Sequence, residues 1–265
     1  MKAWEGILES LAPERSRKPR STGLTMVIDK GLGLSQTKDL MDTAADTIDF
    51  LKMTFGTAAF MDYDLVQRKA EIATGAGVDV YPGGTFMEIA MHQKRTEAYL
   101  DRCVELGLTA VEVSDGTLDI PLDLRAQVIQ SASARGLKVI TEVGKKDPAE
   151  SVDLSLLHTT IRRDIELGVC KVIVEARESG KGVGIYDSSG AVDERELDQI
   201  IAGVDDPSWL MWEAPLKNQQ LYLIRRFGTN VSLGNVPPED ILALEALRCC
   251  MRGDTLKTAV SARIG

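Results

Sequence analysis

Short runs of apolar and β-branched residues recur along the chain. Each run closes in a polar or glycine-rich stretch, and a segment of helical period follows it. The runs are TMVIDKG (25–31), FLKMTFG (50–56), VDVYPGG (78–84), AVEVSDG (110–116), VITEVGKK (139–146), KVIVEAR (171–177), WLMWEAP (209–215) and VSLGNV (231–236). Apolar runs without polar alternation predict strands buried on both faces. Strands that alternate with helices predict parallel pairing, because each crossover carries a helix. Eight strands point to an α/β (β/α)8 TIM barrel over an open doubly wound sheet.

The intervening segments carry helix signals. Ser35 and Thr37 can cap a helix running towards Phe50. FMEIAMHQKRTEAYLDRCVELG has apolar residues at Ile89, Met91, Ala98, Leu100, Val104 and Leu106 and reads as one helix ending at Gly107. Pro121 suits the first turn of a helix through Val128 and Ile129 that ends at Gly136. A further helix around Leu156, Leu157, Ile161 and Ile165 ends at Gly168. Gly77, Gly203 and Gly228 are read as stops of the same kind, where glycine takes a left-handed conformation.

The length of 265 residues suits one barrel domain over residues 1–265, with residues 1–20 as an N-terminal extension over the barrel bottom. The extension carries acids and no apolar core, so it is not read as a secretory signal, and a soluble cytoplasmic protein is expected. No stretch has the length and apolarity of a membrane helix. The net charge of −9 argues against a nucleic-acid partner, although a local cluster of lysine and arginine can still hold a small anion. Cys103, Cys170, Cys249 and Cys250 have no metal-ligand spacing and are read as reduced structural cysteines.

In a barrel of this kind the catalytic groups project from strand C-termini. The strand ends carry Asp29, Lys30, Lys52, Thr54, Glu112, Ser114, Asp115, Glu142, Lys145, Lys146, Glu175, Arg177, Glu178, Glu213, Gly234 and Asn235. Charged residues inside such apolar runs are costly unless paired or bound to a metal. Side chains alternate along a strand, so Lys52 and Thr54 share a face, as do Glu112 and Ser114, and Glu175 and Arg177. If those faces point inward, Glu112, Glu142, Glu175 and Glu213 form a hard-oxygen environment suited to Mg²⁺. Lys52, Lys145, Lys146 and Arg177 then supply positive charge for an anionic substrate. Buried Lys–Glu pairs that only tie strands together are the competing reading.

Two glycine-rich loops, DKGLG (29–33) and SGKGVG (179–184), lack nucleotide-binding spacing. Either can cradle a phosphate, and the second can act as a mobile lid or a plain turn. Gly234 and Asn235 fall where barrels commonly hold phosphate. His92 and His158 are read as helix residues of the outer ring, which leaves acid–base work to lysines and carboxylates.

At these residues the chain resembles the phosphosulfolactate synthase (ComA) family. The matching stretches are TMVIDKGLG, FLKMTFGTA, YPGGTFMEIA, VEVSDGTLDIP, TEVGKKDP, VIVEARESGKGVGIYD and WEAPLKNQQLYLIRRFGTNVSLGNV, over residues 20–255. The resemblance implies a (β/α)8 barrel that adds sulfite to phosphoenolpyruvate with Mg²⁺, giving (R)-2-phospho-3-sulfolactate. It places the reaction at the start of coenzyme M biosynthesis in methanogens, or on a route to sulfolactate in some bacteria.

For that chemistry Lys145 is the expected general acid, with Lys146 as its substitute. Lys30, Lys52, Arg177, Gly234 and Asn235 are the expected substrate-binding residues, and Asp115, Glu142 and Glu175 the metal candidates. Phosphoenolpyruvate and sulfite are the expected small-molecule partners, and self-association into a homo-oligomer is expected. Two other readings stand beside this one. One is a Schiff-base aldolase using Lys145 or Lys171. The other is a non-catalytic heat-stress-related protein, since plant proteins of that kind resemble the same family.

Overall fold

The eight apolar runs form the strands Thr25–Asp29 (β1), Phe50–Met53 (β2), Asp79–Pro82 (β3), Ala110–Ser114 (β4), Lys138–Val143 (β5), Lys171–Val174 (β6), Leu210–Glu213 (β7) and Ser232–Val236 (β8). The computed structural model describes residues 3–4, 6–147 and 152–264. Residues 1, 2 and 5 of the N-terminal extension and Pro148 of the fifth-strand motif lie outside the described residues. All strands pair in parallel in the order β3-β2-β1-β8-β7-β6-β5-β4. The chain is a nearly closed (β/α)8 barrel. The β3–β4 seam is bridged by Thr109, whose N–H donates to Val80 O at 3.2 Å and whose Oγ1 accepts from Val80 N at 3.1 Å.

The helices are Leu34–Ala44 (α1), Tyr63–Gly75 (α2), Gly84–His92 (α3), Thr96–Glu105 (α4), Leu122–Ala134 (α5), Leu154–Glu166 (α6), Glu194–Ala202 (α7), Lys217–Phe227 (α8), Ile241–Arg248 (α9) and Gly253–Ile264 (α10). None of the described helices is long and apolar enough to cross a membrane.

Several boundaries differ from the sequence reading. The segment read as one helix ending at Gly107 is α3 followed by α4. They are separated at Gln93–Arg95, where Lys94 takes φ 55°. α1 is capped by Gly33, whose N–H donates to Gln36 Oε1, and not by Ser35 or Thr37. Thr37 is buried inside that helix. Gly77, Gly107, Gly136 and Gly168 have positive φ, as read. Gly203 has φ −101° and is glycine for a different reason: a Cβ there would lie 2.2 Å from the His158 ring.

Two apolar cores result. One lies between the sheet and the helix ring, where the outward strand residues such as Val27, Leu51, Val111 and Trp212 pack. The other fills the lower barrel interior with Met26, Phe50, Tyr81, Ala110, Ile140, Ile173 and Met211. This apolar plug means that polar side chains one step further along the same faces stand on a dry floor.

The N-terminal segment runs across the opposite, N-terminal end of the barrel. Arg15 forms an ion pair with Glu245 at 2.9 Å and donates to Gly23 O at 2.9 Å. Arg20 pairs with Asp49 at 2.9 Å, and Asp49 in turn accepts the Thr25 N–H at 2.8 Å.

Candidate active site

Strand alternation carries the inward face upward from the plug. Phe50 is followed on that face by Lys52, Ala110 by Glu112, Ile140 by Glu142 and Met211 by Glu213. Glu175 stands one residue past β6, level with them. All five of these charged residues are buried, with exposures between 1% and 5%. Lys52 Nζ lies 3.0 Å from Glu112 Oε2, 3.3 Å from Glu142 Oε2 and 3.4 Å from Glu213 Oε1. Lys146 Nζ lies 2.9 Å from Glu142 Oε1, 3.5 Å from Glu175 Oε2 and 3.9 Å from Glu88 Oε1, and it donates to Thr85 Oγ1 at 3.1 Å. The groups line a cleft of about 220 Å³ at the strand C-termini, with Gly83, Gly84, Arg177 and Asn235 on its walls.

Backbone donors fix the acids. Gly84 N–H, in the first turn of α3, donates to Glu112 Oε1 at 2.6 Å, a favourable place for a carboxylate. A Cβ at Gly84 would sit 2.5 Å from Ser114 Cβ, so glycine is what lets α3 approach β4. Ala176 N–H donates to Glu213 Oε2 at 2.9 Å and Arg177 N–H to Glu175 Oε1 at 2.5 Å. Arg177 holds φ 60°, a left-handed conformation a non-glycine residue rarely takes.

Five carboxyls (Glu88, Glu112, Glu142, Glu175 and Glu213) thus surround two lysines, and the protonation balance follows. Burial pushes Glu112 up to about 7 against the pull of Lys52. Burial, with Glu142 and Glu213 nearby, pushes Glu175 well above the usual carboxylate range. Burial acts on Glu142 too, but Lys146 and Lys52 outweigh it and hold that carboxyl low. Burial also disfavours the charged form of Lys52, and the Glu112, Glu142 and Glu213 carboxylates overcome it and raise its pKa. Glu175 Oε2 is buried without a hydrogen bond.

The structure separates the residues singled out in the sequence. Lys52, Lys146, Glu142, Glu175 and Arg177 come together in the cleft, as do Glu112 and Glu213, which the sequence reading set in the same oxygen environment but left out of the metal candidates. Lys145 does not join them. It follows Gly144 on the turn out of β5, and its Nζ lies 2.6 Å from Asp119 Oδ1 and 3.2 Å from Asp115 O. Asp115 is also directed away, because it follows the inward Ser114. It faces Arg125 of α5 at 3.5 Å, outside the carboxylate cluster.

Asn235 is buried on the cleft wall with Oδ1 unpartnered. Gly234 lies beneath it, against Met26 and Met211. Lys30 is exposed, with its ammonium 5.7 Å from the Phe55 ring centre. Lys171, the other Schiff-base candidate, sits at the N-terminal end of β6, bonded to Ser208 O at 2.6 Å and remote from the cleft.

The SGKGVG loop is clamped. Gln219 Nε2 donates to Gly180 O at 2.7 Å, Tyr186 OH donates to Glu213 O at 2.8 Å, and a Cβ at Gly184 would lie 2.1 Å from Glu175 O. It braces the backbone beneath Glu213 and Glu175. The sequence reading missed Glu88 and Thr85. The available signals were an acid inside the apolar stretch MEIAM and a threonine directly after the Gly83–Gly84 turn.

A barrel with its charged groups gathered in a cleft at the strand C-termini has the construction of a (β/α)8 enzyme. Solved structures of similar fold include 3-hexulose-6-phosphate synthase from Salmonella typhimurium, with TM-score 0.57 and 13% identity, covering 86% of this chain and all of that one. An HpcH/HpaI aldolase from Desulfitobacterium hafniense matches with TM-score 0.57 and 11% identity, covering 85% and 91% of the two chains.

Sequence comparison narrows the class. Residues 13–254 match the (2R)-phospho-3-sulfolactate synthase (ComA) family model. The chain is 40% identical to phosphosulfolactate synthase of Methanothermobacter thermautotrophicus, over 93% of this chain and 96% of the relative. It is 38% identical to that of Bacillus subtilis, over 92% and 96%. The chain belongs to the phosphosulfolactate synthase family and is an enzyme of lyase type.

Proposed function

We propose that the chain adds sulfite to phosphoenolpyruvate in a Mg²⁺-dependent reaction, giving (R)-2-phospho-3-sulfolactate. Besides family membership, one observation carries the reading: four buried carboxyls, Glu112, Glu142, Glu175 and Glu213, face two lysines in one cleft, with Glu88 behind Lys146. That surplus of negative charge is costly unless protons or a divalent cation offset it. Glu142, Glu175 and Glu213 each offer an oxygen, all within 4.8 Å of one another, and one Glu175 oxygen lacks a hydrogen bond. Hard oxygen donors of this kind fit Mg²⁺, and these three residues would hold it. When bound, the ion supplies Lewis-acid stabilisation of negative charge developing on a substrate carboxylate.

The side chains have distinct tasks on this reading. The sulfur lone pair of sulfite forms the new bond at the methylene carbon of phosphoenolpyruvate. The electron pair of the carbon–carbon double bond moves towards the carboxylate. Lys146, at the cleft mouth, gives its proton to carbon two, which closes the valence there, and regains a proton from solvent. Lys52 is a fixed cation beneath the substrate carboxylate. Arg177 and Asn235 hold the remaining anionic groups at the rim, with Lys30 nearby.

The test mixes purified protein with phosphoenolpyruvate and sulfite and follows loss of enolpyruvate absorbance. Consumption that stops with EDTA and returns with Mg²⁺ is expected. Folded protein that consumes nothing in the presence of Mg²⁺ overturns the proposal.

A further inference from the structure

Glu88 is 1% exposed on α3, and every oxygen of its carboxylate is engaged. Oε1 accepts from Ser114 Oγ at 2.9 Å. Oε2 accepts from Thr117 N at 3.1 Å and from Leu118 N at 2.7 Å. These bonds tie α3 to the loop after β4. The same loop forms the wall under the Lys146 side chain. Gly116 O accepts the Lys146 N–H at 3.0 Å, and a Cβ at Gly116 would meet Lys146 Cε and Cγ at 3.2 Å. Ser114 Oγ also lies 2.9 Å from Glu142 Oε1, the oxygen paired with Lys146. Glu88 therefore reaches Lys146 by two routes: its own charge at 3.9 Å and the Gly116 wall.

We infer that Glu88 is a positioning residue for Lys146: it holds the loop after β4 whose Gly116 wall aims the ammonium into the cleft. The inference rests on the reading above, in which Lys146 is the proton donor. The physical basis is that proton transfer demands the donor within hydrogen-bond reach of the reacting carbon's proton path, and a displacement of about 1 Å can cost 10²-fold. A glutamate reaches all four partners at once, whereas aspartate is one methylene too short. Glutamine keeps one oxygen for the loop N–H groups and can turn its amide towards Ser114 Oγ.

Two readouts separate this inference from the reaction itself. The first needs no substrate: acylation of surface amines followed by peptide mass spectrometry. In Glu88→Ala and Glu88→Asp, Lys146 should label at least fivefold faster than in the unaltered protein, with Lys138 unchanged as an internal control. Glu88→Gln should stay within twofold. The second is the sulfite-addition assay, where Glu88→Ala should lower kcat about 30-fold with KM for phosphoenolpyruvate within threefold, and Glu88→Gln should retain most of kcat. If Glu88→Ala does not fold, Glu88→Asp carries both comparisons. Unchanged Lys146 labelling in a folded Ala or Asp variant overturns the inference whether or not the protein adds sulfite. An unaltered protein without activity but with the expected labelling pattern overturns the reaction assignment alone.

Discussion

Lys145 and Lys146 are neighbours in sequence and occupy different environments. They lie past the end of β5, and the turn at Gly144, with φ 112°, separates them: one ammonium reaches Asp119, the other the Glu142–Glu175 pair in the cleft. Lys146→Ala should lower kcat by about 10² to 10⁴, the usual range for a lost general acid, while Lys145→Ala stays within about threefold. Equal loss in both variants, measured by enolpyruvate absorbance, would contradict the assignment. Gly84→Ala should disturb the same cleft from the backbone side. Its methyl would lie 2.5 Å from Ser114 Cβ and 2.8 Å from Glu112 Oε1. Overpacking of this kind costs about 1–3 kcal/mol, readable as a lower denaturant midpoint. The inward positions Lys52, Glu112 and Glu142 were legible because period-two alternation is rigid within a strand. The same alternation turns Asp115 away from the inward Ser114; it stops being a guide at the Gly144 turn, before Lys145, and on α3, which carries Glu88.

At the scale of elements, strands were more legible than helices. A buried strand is a contiguous apolar run, and its position survives an error of a residue or two. A helix is read from phase, and phase is lost wherever the backbone leaves the helical region. At Lys94 the chain takes a left-handed turn, so the periods before and after it are unrelated. Ile89 and Val104, read as apolar positions of one continuous helix, are 45% and 46% exposed. The faces that pack carry Met87 and Met91 on α3, and Leu100 and Cys103 on α4. The Lys94 side chain is exposed, so its substitution tests backbone conformation with little loss of packing. A left-handed residue with a Cβ costs about 1 kcal/mol relative to glycine. Lys94→Gly should therefore stabilise the protein by about 0.5–1 kcal/mol, a rise in melting temperature of about 2 °C. A fall would show that the turn is held by something other than its dihedral angles.

Across the whole molecule, the two ends of the barrel are built on opposite principles. The C-terminal end concentrates carboxylates beyond what its lysines neutralise. At the N-terminal end Glu245 and Asp49 are closely paired, and the segment before β1 supplies their partners, Arg15 and Arg20. The sequence shows Arg15, Arg17, Lys18 and Arg20 in this segment but not their partners, because Glu245 is 230 residues from Arg15 and no local pattern links them. Arg15 binds Glu245 through two nitrogens, both at 2.9 Å, while also bonding Gly23 O, so one side chain joins the segment before β1 to α9. Burial alone would raise the Glu245 pKa, but Arg15 outweighs it and holds the carboxyl below its ordinary value of 4.5. A carboxyl that titrates lower in the folded state than in the unfolded one contributes stability above the unfolded pKa. That contribution is lost as pH falls through the folded value. Arg15→Met removes the partner and leaves a largely buried acid, at a cost of about 3 kcal/mol at neutral pH. In the variant the pull of Arg15 is gone and the Glu245 pKa rises, so the difference between the two proteins should shrink as pH falls from the variant's Glu245 pKa through the lower one of the unaltered protein. Urea unfolding of both proteins at pH 7 and at successively lower pH reads that difference directly; a gap that stays constant with pH would show that Arg15 stabilises the barrel through packing and the Gly23 bond, not through the Glu245 charge.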